Sequence, residues 1–531
     1  MTSGAAHSSI SRAIRDPELM EAALALFEGR LHDAEPVLKA HLKRDPFDVA
    51  AIRMLAELAA RIERYRDAEA LLRRALDLAP EFLAARSNLA TVLHRQGRSG
   101  EAVEELDKLQ RIDPDNLTNV NLKAAALGRV GEFDEALELY EQVLKGFGKQ
   151  PKIWMSYGHM LKTVGRQADA ITAYRKALAL SPTLGEVWWS LANLKTLKFD
   201  ENDIAAMRDA LDTDAIAAED RFHLHFALGK AQEDRGQAAE AFDHYATGNA
   251  LRKRLLPYDA DQTRAAVDHA VSLYTPEFFE AQRGHGAAAP DPIFIVGMPR
   301  AGSTLIEQIL SSHSMVEGTM ELPDIPKLYA KARGMGGIAK LSAADARELG
   351  EQYLHDTLVQ RKSDKPFYID KLPNNWLHTG FIRLILPHAK IIDARRHPMD
   401  CCFSNYKQHF ARGQAFSYDL ADMGRYYADY VELMDHFDRA MPGRIHRVFH
   451  ERLIDDLEGE VRALLDYLGV PFEPACLDFH TNERAVRTAS SEQVRRPINR
   501  DGVGQWRAME EWLEPLVEAL GPALTQYPAT A

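Results

Sequence analysis

A chain of 531 residues is too long for one hydrophobic core and predicts two or three domains. Its composition is that of an ordinary globular protein, and a formal net charge of -13 excludes a general binder of nucleic acid or membrane surfaces, because those polyanions attract basic faces. Local basic clusters still leave room for one anionic ligand. Residues 1–15 are polar and rich in Ser and Ala, without the apolar stretch of a signal peptide, and are expected to be a flexible N-terminus. The three cysteines, Cys401, Cys402 and Cys476, form no CxxC pair and no disulfide framework, and read as buried thiols. No apolar run reaches the length of about eighteen residues that a membrane helix needs, so a cytoplasmic protein is expected.

The first half repeats itself. Alanine recurs every 34 residues, at Ala34, Ala68, Ala102, Ala136 and Ala170. Five positions upstream of each stand Gly29, Glu63, Gly97, Gly131 and Gly165, with Glu63 the exception to glycine. Seven further upstream stand Ala22, Ala56, Ala90, Ala124 and Gly158, and Pro46, Pro80, Pro114 and Pro182 keep the same register. Small residues allow two antiparallel helices to approach closely. Glycine suits the turn between them, and proline stops the second helix. The pattern resembles the tetratricopeptide repeat. A degenerate sixth unit is expected around Gly229, Gly236 and Ala241, out of phase with the others. The repeats are expected over 16–255, as an all-α solenoid that either binds a partner or an extended substrate in its concave groove or serves as a scaffold or dimerisation arm. Trp154, Tyr157, Trp188 and Trp189 read as core aromatics, and His223 and His225, on different helix faces, as structural. Residues 256–290 read as connecting helices ending in a linker, Gly284 to Pro290.

A new pattern occupies 291–531. Ile293 to Val296 is a buried strand, and Gly297-Met298-Pro299-Arg300-Ala301-Gly302-Ser303-Thr304 leads from it into an apolar helix. Strand, glycine-bearing turn and helix make a phosphate cradle, since backbone N–H groups and the helix N-terminus point at one anion. The spacing mimics a Walker A loop, but Ser303 stands where a nucleotide kinase has its lysine, and Arg300 supplies the charge instead. A second strand, Lys390 to Ala394, runs into Arg395-Arg396-His397-Pro398, with Ser404 eight residues after Arg396. An arginine fork and a hydroxyl so placed form a second phosphate clamp.

These blocks, with Ser490-Ser491-Glu492-Gln493-Val494, Pro497-Ile498-Asn499 and Trp506, resemble the sulfotransferase superfamily, specifically its tyrosylprotein-sulfotransferase-like branch fused to tetratricopeptide repeats. The resemblance implies an α/β, P-loop-like domain with a central parallel sheet. It implies a donor, 3′-phosphoadenosine 5′-phosphosulfate (PAPS), with the bisphosphate PAP as product and no metal. Arg300, Ala301, Gly302, Ser303 and Thr304 would hold the 5′-phosphosulfate, and Arg396 with Ser404 the 3′-phosphate; Arg496 matches a further nucleotide contact. Glu321 stands where the branch has its catalytic base. Lys371, ending the strand Phe367 to Ile369, matches the lysine that stabilises the transition state, and Ser491 a serine contacting the same group.

Three departures stand out: Gln505 replaces a lysine before Trp506, His450 replaces a tyrosine, and Pro323 replaces an arginine that reads acidic peptides. The acceptor hydroxyl is therefore left open among protein, peptide and glycan. Two other classes stay in view. One is a phosphoryl-transfer enzyme, for which Asp370 and Asp393 at strand ends would hold magnesium. The other is a repeat scaffold carrying an inactive nucleotide-binding domain.

Overall fold

The structure is a computed structural model that describes residues 16–214, 216–411, 413–488 and 490–528. The expected flexible terminus, 1–15, lies outside the described residues. The chain divides into two compact units, the first ending at Met160 and the second beginning at Leu161. No helix among the described residues is long and apolar enough to cross a membrane.

The first unit is a run of antiparallel helix pairs, beginning with Pro17–Phe27 and Leu31–Arg44, then Val49–Arg61 and Tyr65–Leu78. The periodic alanines are its core: Ala34, Ala68, Ala102 and Ala136 are fully buried, as are Ala56, Ala90 and Ala124. The turn position upstream is left-handed in every copy, at Gly29, Gly97, Gly131 and, in the second unit, Gly165. Glu63, the one non-glycine, adopts the same conformation at φ 59°. The turn geometry is therefore dictated by the helix pair, and the glycines are there because an L side chain resists it. A Cβ on Gly29 would meet nothing within 4 Å. Gly29→Ala is thus expected to destabilise the first unit through backbone strain alone, by about 1 kcal/mol, and Glu63→Gly to move stability in the opposite direction or not at all. Urea unfolding of the two variants measures both.

The second unit continues the helices and adds an α/β domain. Helices Ala218–Asp234 and Ala238–Leu255 form the out-of-phase sixth pair, with Gly236 left-handed between them and Ala241 fully buried. His225 Nδ1 faces His244 Nδ1 at 3.0 Å, and His223 packs against Phe222 and His409. The connector forms the helices Ala260–Leu273 and Pro276–Ala281. The linker after them is tied to the domain: Ala287 N–H donates to Ile385 O at 2.8 Å, and a Cβ on Gly286 would lie 2.5 Å from Leu384 O.

Five strands form one parallel sheet: β1 Pro292–Gly297, β2 Val316–Gly318, β3 Phe367–Lys371, β4 Lys390–Arg395 and β5 Ile445–Phe449, in the order β2-β3-β1-β4-β5. Every residue of β1 is buried, as expected of a central strand covered on both faces. All five C-terminal ends share one edge. Open parallel sheets bind ligands there, where the helices that follow present their N-termini.

Candidate active site

The loop after β1 turns on three left-handed residues, Gly297, Arg300 and Gly302. Gly302 caps the helix Ser303–Ser311, and a Cβ there would sit 2.9 Å from His450 Nδ1. The loop thus needs glycine on two counts, φ and space. It is held from beneath by Asn405, whose side-chain N–H donates to Pro299 O at 2.7 Å. Ser303 and Thr304 are buried at the helix start, and Thr304 Oγ1 lies 3.3 Å from Thr488 Oγ1. Ala301 is buried beside them.

Arg300 gathers the distant blocks. Its Nε donates to Ser404 Oγ at 3.1 Å, one Nη donates to Gln493 Oε1 at 3.1 Å, and the other bonds Ser490. Arg396, at the end of β4, donates to Arg300 O at 3.1 Å and to Gly502 O. The two guanidiniums influence each other, with no carboxylate bonded to either among the described residues. Burial, with Arg396 alongside, pushes Arg300 down to about 10, although part of the side chain stays solvent-accessible. Burial, Arg396 and Arg300 push His450 down to about 3, so this imidazole is neutral and adds no charge at physiological pH. Ser491 Oγ and Arg396 Nε are both buried without a hydrogen-bond partner. Buried polar atoms of this kind call for a ligand.

Arg396 is positioned from several sides. Tyr427 OH donates to its carbonyl at 2.8 Å, and the next residue, His397, donates its N–H to Glu451 Oε1 at 3.0 Å. Trp506 lies parallel to the His397 ring at 6.4 Å, and Gly504 N–H donates to Asp400 Oδ1 at 2.8 Å, holding the C-terminal segment over the end of β4. Gln505, which stands where a lysine was expected, accepts from Lys407 Nζ at 3.1 Å. Lys407, just after the helix Pro398–Tyr406, thus reaches that place with an ammonium that also pairs with Glu233. Arg496 stands apart from this cluster: its side chain is 58% exposed and lies 3.5 Å from Asp501.

A second cluster lies at the ends of β2 and β3. Glu321 sits between β2 and the helix Asp324–Gly334, on a loop hooked to β3 by Thr319 Oγ1, which donates to Ile369 O at 2.5 Å. Lys371 Nζ donates to Glu321 Oε1 at 2.5 Å; the lysine is 2% exposed and the glutamate 46%. Lys371 pairs in register with Ile295 of β1, two residues before the loop begins. Behind it is Glu307, buried on the Ser303–Ser311 helix, 4.0 Å from Lys371 Nζ and 3.1 Å from Arg484 Nη2. Arg484 Nε also donates to Gln308 Oε1 at 2.9 Å, fastening the C-terminal segment to the helix.

Glu307, Arg484 and Lys407 escaped the sequence reading, and Ser490 and Gln493 entered it only as members of the C-terminal block, without individual roles. Glu307 carried one usable signal, a carboxylate on the apolar face of the loop's own helix. Of the strand-end aspartates, Asp393 has both oxygens committed to protein partners. Asp393 Oδ2 accepts from Arg395 and Arg447, both at 3.0 Å, and Tyr430 OH bonds its other oxygen. Asp370 Oδ2 accepts from Tyr353 OH at 2.9 Å, its Oδ1 is buried with no hydrogen-bond partner among the described residues, and burial pushes its carboxyl well above the usual range.

The chain combines tetratricopeptide repeats with a domain of the sulfotransferase family. The sulfotransferase family profile matches residues 292–474, and the tetratricopeptide repeat profile matches 53–116 and 121–184. An uncharacterized protein of Aquifex aeolicus (strain VF5) is 32% identical over 376 residues, which is 68% of this chain and 49% of that protein. More distantly, protein-tyrosine sulfotransferase 1 of Danio rerio is 25% identical over 244 residues, 40% of this chain and 65% of that protein. The chain thus spans about half the length of the first relative and 65% of the second. Among solved structures, the sulfotransferase domain from the Synechococcus PCC 7002 olefin synthase matches at 21% identity, covering 43% of this chain and 90% of that domain, with a TM-score of 0.33.

Proposed function

We propose that the protein is a sulfotransferase that moves a sulfonate group from PAPS to an acceptor hydroxyl. The observation that carries this reading is the pairing of two clusters on one sheet edge. One holds two arginines with no bonded carboxylate, next to the unpartnered Ser491 Oγ; the other holds a carboxylate and an ammonium in contact. The residues fit a nucleotide phosphorylated at both ends. The Arg300–Thr304 loop and the helix after it would receive one phosphate, and Arg396 with Ser404 the other. The donor, when bound, supplies an activated sulfonate whose transfer to a hydroxyl breaks its bond to the 5′-phosphate.

The chain's own residues divide the remaining work. Glu321, half-exposed, accepts the proton that the acceptor hydroxyl gives up. Lys371, buried and aimed at the same place, orients Glu321 and holds positive charge where negative charge develops. Glu307 and Arg484 fix the lysine from behind. Ser491, whose buried Oγ has no hydrogen-bond partner among the described residues, contacts the transferred group from the donor side. The acceptor is a protein tyrosine or a sugar hydroxyl, presented by the repeats. The commitment of Asp393 to Arg395 and Arg447, with one Asp370 oxygen held by Tyr353, favours this reading over phosphoryl transfer with magnesium at those strand ends.

Thermal unfolding with PAP tests the proposal. Ligand at a hundred times its dissociation constant stabilises the native state by about 2.7 kcal/mol, a shift of several degrees. The shift is expected with PAP in the wild type, absent in Arg396→Ala, and absent with ATP and magnesium. A magnesium-dependent response to ATP alone would point to phosphoryl transfer, and no response to either to a scaffold.

A further inference from the structure

The C-terminal segment that reaches the loop after β1 is tied twice to one carbonyl of the repeats. The helix Pro151–Thr163 ends at Thr163, and the last carbonyls of a helix have no partner inside it. Thr163 O accepts from Val486 N–H at 3.0 Å and from Arg495 Nη2 at 3.4 Å. The same Nη2 donates to Arg484 O at 3.2 Å. Arg495 thus draws the two ends of a stretch of chain together and seats both on the repeat helix. Between Val486 and Arg495 lie the side chains that meet the loop: Thr488 beside Thr304, with Ser490 and Gln493 on Arg300. Ser491, with its buried and unpartnered Oγ, belongs to the same stretch.

The chain before this stretch has an anchor of its own. Arg484 Nε donates to Gln308 Oε1 at 2.9 Å, and Gln308 Nε2 donates to Phe479 O at 3.1 Å and Asn482 O at 2.9 Å, which laces the segment to the helix Ser303–Ser311. On the other side, Arg495 makes the return contact. The seat there is tight. Gly165, left-handed at φ 84°, follows the helix end, and a Cβ on it would lie 2.7 Å from Arg495 Cζ and 3.0 Å from Nε and Nη1. Gly236 makes the same kind of turn at φ 75°, and a Cβ there would meet nothing within 4 Å. Glycine at 165 therefore serves the turn and also leaves room for the guanidinium.

A planar guanidinium shared between two backbone carbonyls holds both in a fixed relation. We infer that Arg495 is a positioning residue for the donor. By clasping the stretch onto the repeat turn at Thr163–Gly165, it holds Ser490, Ser491 and Gln493 over the loop. The repeats then set donor affinity without touching the donor. Without the clasp, only the fraction of molecules with the stretch in place binds at full strength. This rests on the sulfotransferase reading and deepens it.

Calorimetric titration of the full chain with PAP tests the inference. Arg495→Met is expected to bind roughly tenfold more weakly, the size of a lost hydrogen bond from a charged group. Arg495→Lys, which keeps a donor near the two carbonyls, is expected to recover part of the loss. In sulfonate transfer the change is expected in the KM for PAPS and not in kcat, because Glu321 and Lys371 lie in the other cluster. Gly165→Ala is expected to weaken PAP binding as well. Gly236→Ala is expected to lower the melting temperature by a similar amount and leave PAP affinity within about twofold, since both changes strain a left-handed turn and only the first meets Arg495. Adding Gly165→Ala to Arg495→Met is expected to cost little further affinity, because the guanidinium it would strike is gone. PAP affinity in Arg495→Met within about twofold of wild type overturns the inference and leaves the proposed function standing. A loss confined to kcat does the same, as does an equal loss of affinity in the two glycine variants, which would assign the effect to strain in the repeats. A wild type that does not bind PAP removes the proposed function and the inference with it.

Discussion

Glu321→Gln is expected to reduce sulfonate transfer by roughly 10²–10⁴-fold while leaving PAP affinity within about threefold of wild type. The substitution is nearly isosteric. The glutamine oxygen can still accept from Lys371 Nζ, which lies 2.5 Å from Glu321 Oε1, so the loop between β2 and the next helix keeps its anchor there and at Thr319. What disappears is the negative charge and the basicity that would take the acceptor proton. Glu321 is half-exposed, so its replacement leaves no buried group unpaired, and the melting temperature is expected to change little. Transfer of labelled sulfonate from PAPS to any hydroxyl that the wild type modifies, measured beside PAP titration, separates the two effects. Full transfer in the variant would remove Glu321 from the proton step.

Lys371→Met is expected to cost roughly 10²–10³-fold in the same assay, the size of a lost electrostatic stabiliser in a closed site. Its effect on stability differs from that of Glu321→Gln. The lysine is almost wholly buried, and methionine fills the volume but leaves its two carboxylate neighbours with less positive charge. Glu307 keeps Arg484 at 3.1 Å and Glu321 keeps access to water, so the domain is expected to fold with a lowered melting temperature. The double variant decides whether the pair acts as a unit. If Lys371 both orients Glu321 and stabilises charge, the losses combine to less than their product. Losses that multiply in full would make the 2.5 Å contact incidental to the chemistry.

The repeat register was legible in the sequence because it is written in short-range terms. A left-handed turn calls for glycine and a close helix crossing calls for alanine, so Gly29 and Ala34 announce themselves. Glu63 shows the limit of that logic, since the helix pair enforces the turn even without glycine. The strands β1, β3 and β4 were visible as apolar runs. The three-residue β2 was too short to show a period, and β5, Ile-His-Arg-Val-Phe, is only partly buried and carries Arg447 toward Asp393, so its pattern reads as polar. At the site, Arg300, Glu321, Lys371, Arg396, Ser404 and Ser491 were named from motif and resemblance. The structure joins Arg300 to Ser404 and Lys371 to Glu321, and puts Arg496 beside Asp501 on the surface.

By itself, the sequence determined the architecture: a helical repeat array, then a strand, a glycine-bearing loop and a helix able to cradle phosphate. Each follows from residues within a few positions of one another, where backbone conformation and side-chain period decide the outcome. Tertiary structure alone decided which charges meet. Glu307 finds Arg484 across 177 positions, and Arg300 finds Ser404 and Gln493 across more than a hundred, through packing that no local pattern encodes. Electrostatic energy depends on distance and desolvation, and both are settled only when the second unit closes around the sheet edge.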